Sequence, residues 1–286
     1  MTLPAPRTTI ISVCYNSTAV LPAMLSSVPA GVAVVLVDNA STDSAALAPL
    51  AESHAARLIR SPENRGFGVG CNLGAAEAKT EFLLFLNPDA QLLDGAIAAL
   101  EAAMDRYPKA SAMNPRITEA DGSPYFKRRS VLLPRKDHLP RGWPEADREV
   151  PVLSGAAMFV RRRDFEAVGG FDPQIFLYHE DDDLSLRLKA ERGPLMFIRD
   201  AAVRHIGGSS TARRPESAAF KAWHMGRSRV YAARKHGRPL PFLSSLLSAV
   251  GRAALPWSLL SRRGRAKRLA FLKGVLSGRP GGAAGQ

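Results

Sequence analysis

Four short segments carry side chains whose types and spacing suit chemistry on a phosphorylated ligand. The first is Val34-Val35-Leu36-Val37-Asp38-Asn39-Ala40-Ser41-Thr42-Asp43. Asp38 follows a continuous apolar run, where the carboxyl end of a buried parallel strand opens on the ligand crevice of an α/β sheet. Its carboxylate could accept hydrogen bonds from a base edge or a ribose hydroxyl, although Asp, Asn, Ser and Thr also suit turns and helix caps. The second is Glu63-Asn64-Arg65-Gly66-Phe67-Gly68-Val69-Gly70-Cys71-Asn72. Its glycines permit close backbone approach or positive φ, and a helix beginning after them would turn its N-terminus toward an anion. Arg65 could contact a diphosphate. The spacing lacks the G-x-G-x-x-G of dinucleotide sites, and the acid at position 38 precedes this loop instead of following it.

The third segment, Phe82 to Ala90, is an apolar strand ending in Asn87-Pro88-Asp89. Asp89 is a hard oxygen donor suited to Mg²⁺ or Mn²⁺ bridging phosphates, although a strand-terminal Asp also starts turns. The fourth follows Gly169-Gly170-Phe171-Asp172 and places Glu180, Asp181, Asp182 and Asp183 in succession beside Phe176, Leu177 and Tyr178. Crowded carboxylates repel, so one takes a raised pKa or recruits a cation. One could serve as a general base, and others could dress a helix N-terminus. His205 precedes Gly207-Gly208, and a single His is more often structural than a ligand.

These segments need a scaffold, and the apolar pattern predicts one. Strands are expected at 9–13, 32–37, 57–61, 81–86, 152–160 and 195–198, and helices at 16–27, 44–53, 70–79, 94–106 and 184–192. That alternation implies βαβ units and a mostly parallel sheet. Residues 114–150, dense in Pro, Arg and Lys, read as a long loop. From about residue 215 the chain reads as helical and basic, broken at Pro239 and Pro241, and 277–286 as disordered.

The 286 residues, 46% hydrophobic and 23% charged, exclude a disordered or fibrous chain. Cys14 and Cys71 alone exclude a disulfide scaffold or a multi-cysteine zinc site and point to a reducing cytoplasm. Met1–Thr8 has no apolar core of a signal peptide, and no clean run of about 20 apolar residues predicts a spanning helix. The net charge of +13 is uneven: residues 204–286 hold 17 Lys/Arg and one acid, Glu216. Such a tail seeks phosphates on nucleotide, nucleic acid or anionic lipid, or simply keeps the chain soluble.

Taken in order, Asp38, Asn64-Arg65-Gly66-Phe67-Gly68 with Asn72, Asn87-Pro88-Asp89, Gly169-Gly170-Phe171-Asp172, Glu180-Asp181-x-Asp183 and His205 resemble family 2 glycosyltransferases. The bacterial rhamnosyltransferase-like branch is the nearest in pattern, over roughly residues 8–236. The resemblance implies an α/β GT-A fold over 1–238, with a nucleotide-sugar half (1–113) and an acceptor half (114–238). A basic, partly amphipathic helical tail (239–286) would follow. It implies inverting, metal-assisted transfer of L-rhamnose from dTDP-rhamnose, or of a hexose from a UDP-hexose, to a hydroxyl of a cell-envelope glycan or polyprenyl-diphosphate-linked saccharide. By position, Tyr15, Asn16, Asp38, Asn64, Arg65, Gly66, Asn72 and Asn87 would meet the nucleotide sugar, and Asp89 and His205 would hold Mg²⁺ or Mn²⁺. Asp181 would be the base, with Glu180 the alternative and Asp183 in the same acidic set. Asp182 departs from the family pattern, which has an apolar residue there.

The tail would then touch the anionic inner face of the cytoplasmic membrane, or pack on the core or on a second subunit. Nucleic acid is not the expected partner, because Trp223, Tyr231, Phe242, Trp257 and Phe271 form no recognised module. A nucleotide-sugar-binding scaffold with weak catalysis is the alternative function on the same fold.

Overall fold

The structure, a computed structural model, describes residues 7–206, 215–253 and 261–279. Of the end expected to be disordered, 277–286, residues 280–286 lie outside them, as do Gly207-Gly208 and Trp257, while Ser277 closes a helix. The first half is the predicted βαβ series. Strands β1 (Thr8–Cys14), β2 (Ala33–Asn39), β3 (Arg57–Ser61) and β4 (Phe82–Leu86) pair in parallel in the order β3-β2-β1-β4. Helices α1 (Leu21–Ser26), α2 (Leu47–Ser53) and α3 (Phe67–Ala76) connect them.

Strands β1, β2 and β4 are buried along nearly their whole length because both faces are covered, whereas edge strand β3 carries exposed Arg57 and Arg60. Successive side chains point to opposite faces. Ile10, Leu36 and Leu84 therefore join one core, with Leu21, Leu47 and Leu100. Ile11, Val37 and Phe85 join the other, with Phe165, Phe171 and Leu184.

The second half corrects the expectation of a mostly parallel sheet. After β5 (Ala90–Leu92) and α4 (Ala96–Arg106) come β6 (Ala112–Glu119), β7 (Pro124–Tyr125), β8 (Arg148–Val150) and β9 (Ala157–Arg161). Helices α5 (Arg162–Ala167) and α6 (Glu180–Glu191) lead to β10 (Leu195–His205). The sheet continues β4-β9-β6-β10-β5, with β9 antiparallel to both neighbours. An apolar run shows that a strand is buried, but not which way it points.

Three elements differ from the sequence expectation for identifiable reasons. The segment 114–150 contains β6, β7 and β8. Its Pro115, a strand breaker by type, sits where β10 shifts register between Ile198 and Ala202. The helix expected from residue 16 begins at Leu21, because Asn16 takes φ +52° and Ser17 carbonyl accepts the Val20 and Leu21 N–H groups. Helix α6 starts four residues before Leu184, so the acidic run forms its first turn, where the helix dipole favours carboxylates.

The basic segment folds as α7 (Pro215–Lys235), α8 (Pro241–Ala253) and α9 (Arg262–Ser277). Helix α9 lies along α7, around Ala222, Val230, Phe271 and Val275. The two backbones approach closely at paired glycines. A Cβ on Gly274 would stand 2.0 Å from the Trp223 carbonyl oxygen, and one on Gly226 2.3 Å from that of Phe271.

Gly→Ala in an exposed helix stabilises by about 1 kcal/mol. Gly274→Ala is expected to do the reverse, lowering the denaturant midpoint by the equivalent of about 1–3 kcal/mol of overpacking. Gly251→Ala, on open space in α8, is the control and should not lower it.

Candidate active site

The carboxyl ends of β1, β2 and β4 open on a cavity of about 620 Å³. The start of α3, the end of β10, residues 176–178 and the first turns of α7 close it. Of the sequence-predicted residues, Tyr15, Asn64, Gly66, Asn87, Asp89 and His205 line this cleft together. Its shape depends on an asparagine the sequence reading passed over. Asn39 Nδ2 donates to Asn64 Oδ1 (2.9 Å) and to the Gly66 carbonyl (3.1 Å), and its Oδ1 accepts the Arg65 N–H (3.1 Å). Asn64 Oδ1 also accepts the Gly66 N–H at 3.0 Å.

Gly66 is required twice over. Its φ is +90°, and a Cβ there would lie 2.1 Å from the Phe176 carbonyl oxygen. That same carbonyl accepts the Phe67 N–H at 3.1 Å.

The remaining nucleotide-side residues lie behind the cleft. Asp38 is buried, and its Oδ1 accepts the Ser41 N–H at 2.9 Å. Asn16 Oδ1 accepts from the Thr42 N–H and hydroxyl, joining the loops after β1 and β2. Asn72 exchanges two hydrogen bonds with the Phe171 backbone, fastening α3 to the segment before α6. Arg65 is exposed and lies 3.8 Å from Glu63.

Asp89 and His205 come from opposite halves of the sequence. Antiparallel pairing of β10 with β5 sets His205 beside Ala90, next to Asp89. Asp89 Oδ1 lies 3.3 Å from His205 Nε2, and both residues are buried at the cleft wall. His205 Nδ1 has no hydrogen-bond partner, with Glu119 Oε2 at 3.9 Å. One hard carboxylate oxygen beside one imidazole nitrogen suits Mg²⁺ or Mn²⁺. Among the described residues no group of three or more such ligands is assembled. A cation held here would therefore complete its shell from ligand oxygens and water.

A second hollow, lined by Tyr125, Lys127 and Tyr178 to Asp182, adjoins the cleft through Tyr178. The four acids divide sharply. Asp181 Oδ2 accepts from Lys127 Nζ (2.6 Å) and the Gly155 N–H (3.0 Å). Asp182, unexplained from sequence, is buried between Lys127 (3.0 Å) and His179 Nδ1 (3.0 Å). Burial alone would raise its pKa, but these two partners hold it well below the usual carboxylate range. Asp183 has no exposure and lines neither cavity; Arg187, Lys235 and His236 surround it. They outweigh its burial and bring it down to about 2.

Glu180 is the opposite case. It is buried, its Oε2 has no partner, and burial followed by repulsion from Asp181 pushes it up to about 8. Lys127 feels burial too, but Asp181 and Asp182 prevail and raise its pKa. Lys127 is not singled out by the sequence because 114–150 reads as a long loop whose weak periodicity gives no side chain a direction.

Comparison with known proteins identifies the family and the fold. Residues 9–169 match the family profile described as Glycosyl transferase family 2. The N-acetylglucosaminyl-diphospho-decaprenol L-rhamnosyltransferase of Mycobacterium tuberculosis is 30% identical over 283 aligned positions, covering 87% of this chain and 88% of that protein. Rhamnosyltransferase WbbL of Escherichia coli K12 is 27% identical, covering 71% of this chain and 82% of its own length. Among solved structures, a mannosyltransferase from Pyrobaculum calidifontis in complex with GDP-Man and Mn²⁺ superimposes with a TM-score of 0.60 at 18% identity. That match covers 96% of this chain and 87% of the other. The profile spans more than half of the residues and the mycobacterial likeness runs along most of the chain, so this protein, with its GT-A-like α/β fold, belongs to glycosyltransferase family 2.

Proposed function

We propose that the chain transfers L-rhamnose, with inversion, from dTDP-L-rhamnose to a hydroxyl of a lipid-linked saccharide that becomes part of a cell-envelope glycan. The observation that carries this reading is the adjacency of two sites of different chemistry, the Asp89–His205 cleft and the Lys127–Asp181 hollow, which meet at Tyr178. The rhamnosyl donor and lipid-linked acceptor are supported by the names of the mycobacterial and Escherichia coli relatives. UDP-hexose is the second donor to test.

In this reading the nucleotide lies over Tyr15, Asn39 and Asn64, with its diphosphate toward Asp89 and His205. A divalent cation bound by those two residues would neutralise charge on the departing diphosphate. The acceptor hydroxyl lies against Asp181, which takes its proton. The freed oxygen pair forms a bond to the anomeric carbon from the face opposite the diphosphate. The bond from that carbon to the diphosphate oxygen breaks, and its electrons leave with the nucleoside diphosphate.

Asp181 is preferred to Glu180 because a carboxyl titrating near 8 holds its proton at neutral pH and cannot accept another. For this step Lys127 must release Asp181 or share it with the incoming hydroxyl. That ion pair is also the one feature favouring a nucleotide-sugar-binding scaffold of low activity.

The chain is further proposed to work at the cytoplasmic face of a membrane. No helix among the described residues is long and apolar enough to cross one. Helix α8 nevertheless leaves Leu243, Leu247 and Val250 exposed on one face, next to exposed Leu240. The surrounding arginines complement anionic headgroups.

Calorimetric titration of dTDP-rhamnose, UDP-glucose and GDP-mannose, with and without Mn²⁺, tests the class. Metal-dependent binding of dTDP-rhamnose is expected, and Asp89→Ala should weaken it at least tenfold. Asp181→Asn should bind the donor normally yet lose turnover by 10²-fold or more, on the order of a lost general base. Normal turnover by Asp181→Asn would reassign the base.

Glu180 predicts a pH dependence of stability. Between its ordinary value of 4.5 and about 8 the folded chain keeps a proton that the unfolded chain releases. Stability should therefore fall as pH rises through that window, and Glu180→Gln should remove the fall. Were Glu180 the base, kcat/KM would instead climb toward pH 8. Co-sedimentation with phosphatidylglycerol vesicles should drop in Leu243→Ser/Leu247→Ser; unchanged sedimentation would remove the membrane from the proposal.

A further inference from the structure

A third cavity, of about 640 Å³, lies between residues 129–138 and helices α7 and α8. Arg129, Arg135, Arg229, Arg238 and Arg252 line it, with His138 and the hydroxyls of Ser244, Ser245 and Ser248. Its single carboxylate, Asp182, is already held by Lys127 and His179. Among the described residues none of Arg129, Arg135, Arg229 and Arg238 is in an ion pair, and Arg252 only stacks on Phe271 at 5.4 Å. Arg229 is partly buried, and burial and the neighbouring Arg252 charge both work against its protonated form. A hollow that gathers five guanidinium groups around one committed acid is short of a polyanion.

We infer that this cavity is the seat of the diphosphate through which the proposed acceptor saccharide is joined to its prenyl chain. The inference rests on the sugar-transfer reading above and assigns its acceptor a place beside the same site. Position supports it. The cavity shares His179 and Asp182 with the Lys127–Asp181 hollow, and shares no lining residue with the Asp89–His205 cleft. The diphosphate of the donor and that of the acceptor thus have separate seats, one on either side of Asp181. Planar guanidinium forks match phosphate oxygens in pairs, which hydrated lysines do not. The outer wall is α8, whose exposed Leu243, Leu247 and Val250 offer an apolar track to a prenyl chain.

Inorganic pyrophosphate and farnesyl diphosphate, titrated calorimetrically into the full chain with Mn²⁺ and saturating dTDP present so that the Asp89–His205 cleft is filled, test this. Pyrophosphate should bind saturably and without competition from dTDP. Arg229→Gln/Arg238→Gln should weaken it at least tenfold. Arg129→Gln/Arg135→Gln, on an exposed loop where folding is not at stake, should do the same. Farnesyl diphosphate should bind at least tenfold more tightly than pyrophosphate, and Leu243→Ser/Leu247→Ser should abolish that advantage. Displacement by dTDP, or unchanged affinity in both arginine pairs, would overturn the site. Equal affinity for the two probes would overturn the prenyl-linked acceptor and leave a site for free diphosphate. A chain that binds pyrophosphate in this way but shows no affinity for dTDP would count against the donor reading, not against this cavity.

Discussion

A carboxylate with no exposure to solvent organises this molecule. Asp183 is carried into the interior by the first turn of α6, where a lone charge would be prohibitively costly. Its Oδ2 accepts from Arg187 Nε and Nη2, and its Oδ1 lies 2.8 Å from both Lys235 Nζ and His236 Nε2. Each partner fastens something else. Arg187 also donates to the Val168 and Gly170 carbonyls, fixing the turn before Phe171. Lys235 reaches Asp172, which Tyr231 also bonds. One charge thus joins α6, the glycine turn and the end of α7. Removing one side of such a buried network typically costs about 3–5 kcal/mol, even where the complete network adds little net stability.

The consequence is a fixed origin for the three acids that follow the chain back toward the cleft. With Asp183 anchored, Asp182 and Asp181 meet Lys127 from one turn of helix, and Glu180 is left buried without a partner. The backbone entering that turn is strained. Tyr178 and His179 take φ +67° and +71°, a left-handed region that costs L-residues about 1–2 kcal/mol each. Local bonds hold them there. Ser228 donates to the Leu177 carbonyl, Phe67 N–H to that of Phe176, and His179 Nδ1 pairs with Asp182. The strained pair stands between the Asp89–His205 cleft and the acidic hollow, where side chains must point in two directions within a few residues.

What the sequence disclosed follows from how far each signal reaches. The strands β2 and β4 were legible because burial on both faces leaves a nearly unbroken apolar run, and β1 because Thr9–Val13 is rich in β-branched residues. Asp89 and Gly66 were legible because a strand-end acid and a glycine turn are local features. Their partners were not. Asn39 sits beside Asp38 in a stretch where either residue could face the ligand, and only the pleat turns Asn39 inward and Asp38 onto Ser41. Lys127 meets Asp181 across 54 positions, through strand pairing that Pro115 hides in the apolar pattern. The direction of β9 and the merging of β6 with β10 are likewise long-range facts.

The basic excess after residue 203 looks in sequence like a detachable arm, and in the structure it is a wall. The stripe of glycines that draws α9 onto α7 leaves Arg229 and Arg238 on the side of α7 and its following turn that faces the chain body. Helix α8 then brings Arg252 and three serines to the same hollow as Arg129 and Asp182. Charge that would repel if packed alone is tolerated because it borders an open cavity of water-accessible size and is spread over a loop and two helices. That arrangement is stable only while the cavity stays polar. The same arginines that make the segment basic therefore line the hollow proposed above for a diphosphate, which the acidic turn of α6 borders through Asp182.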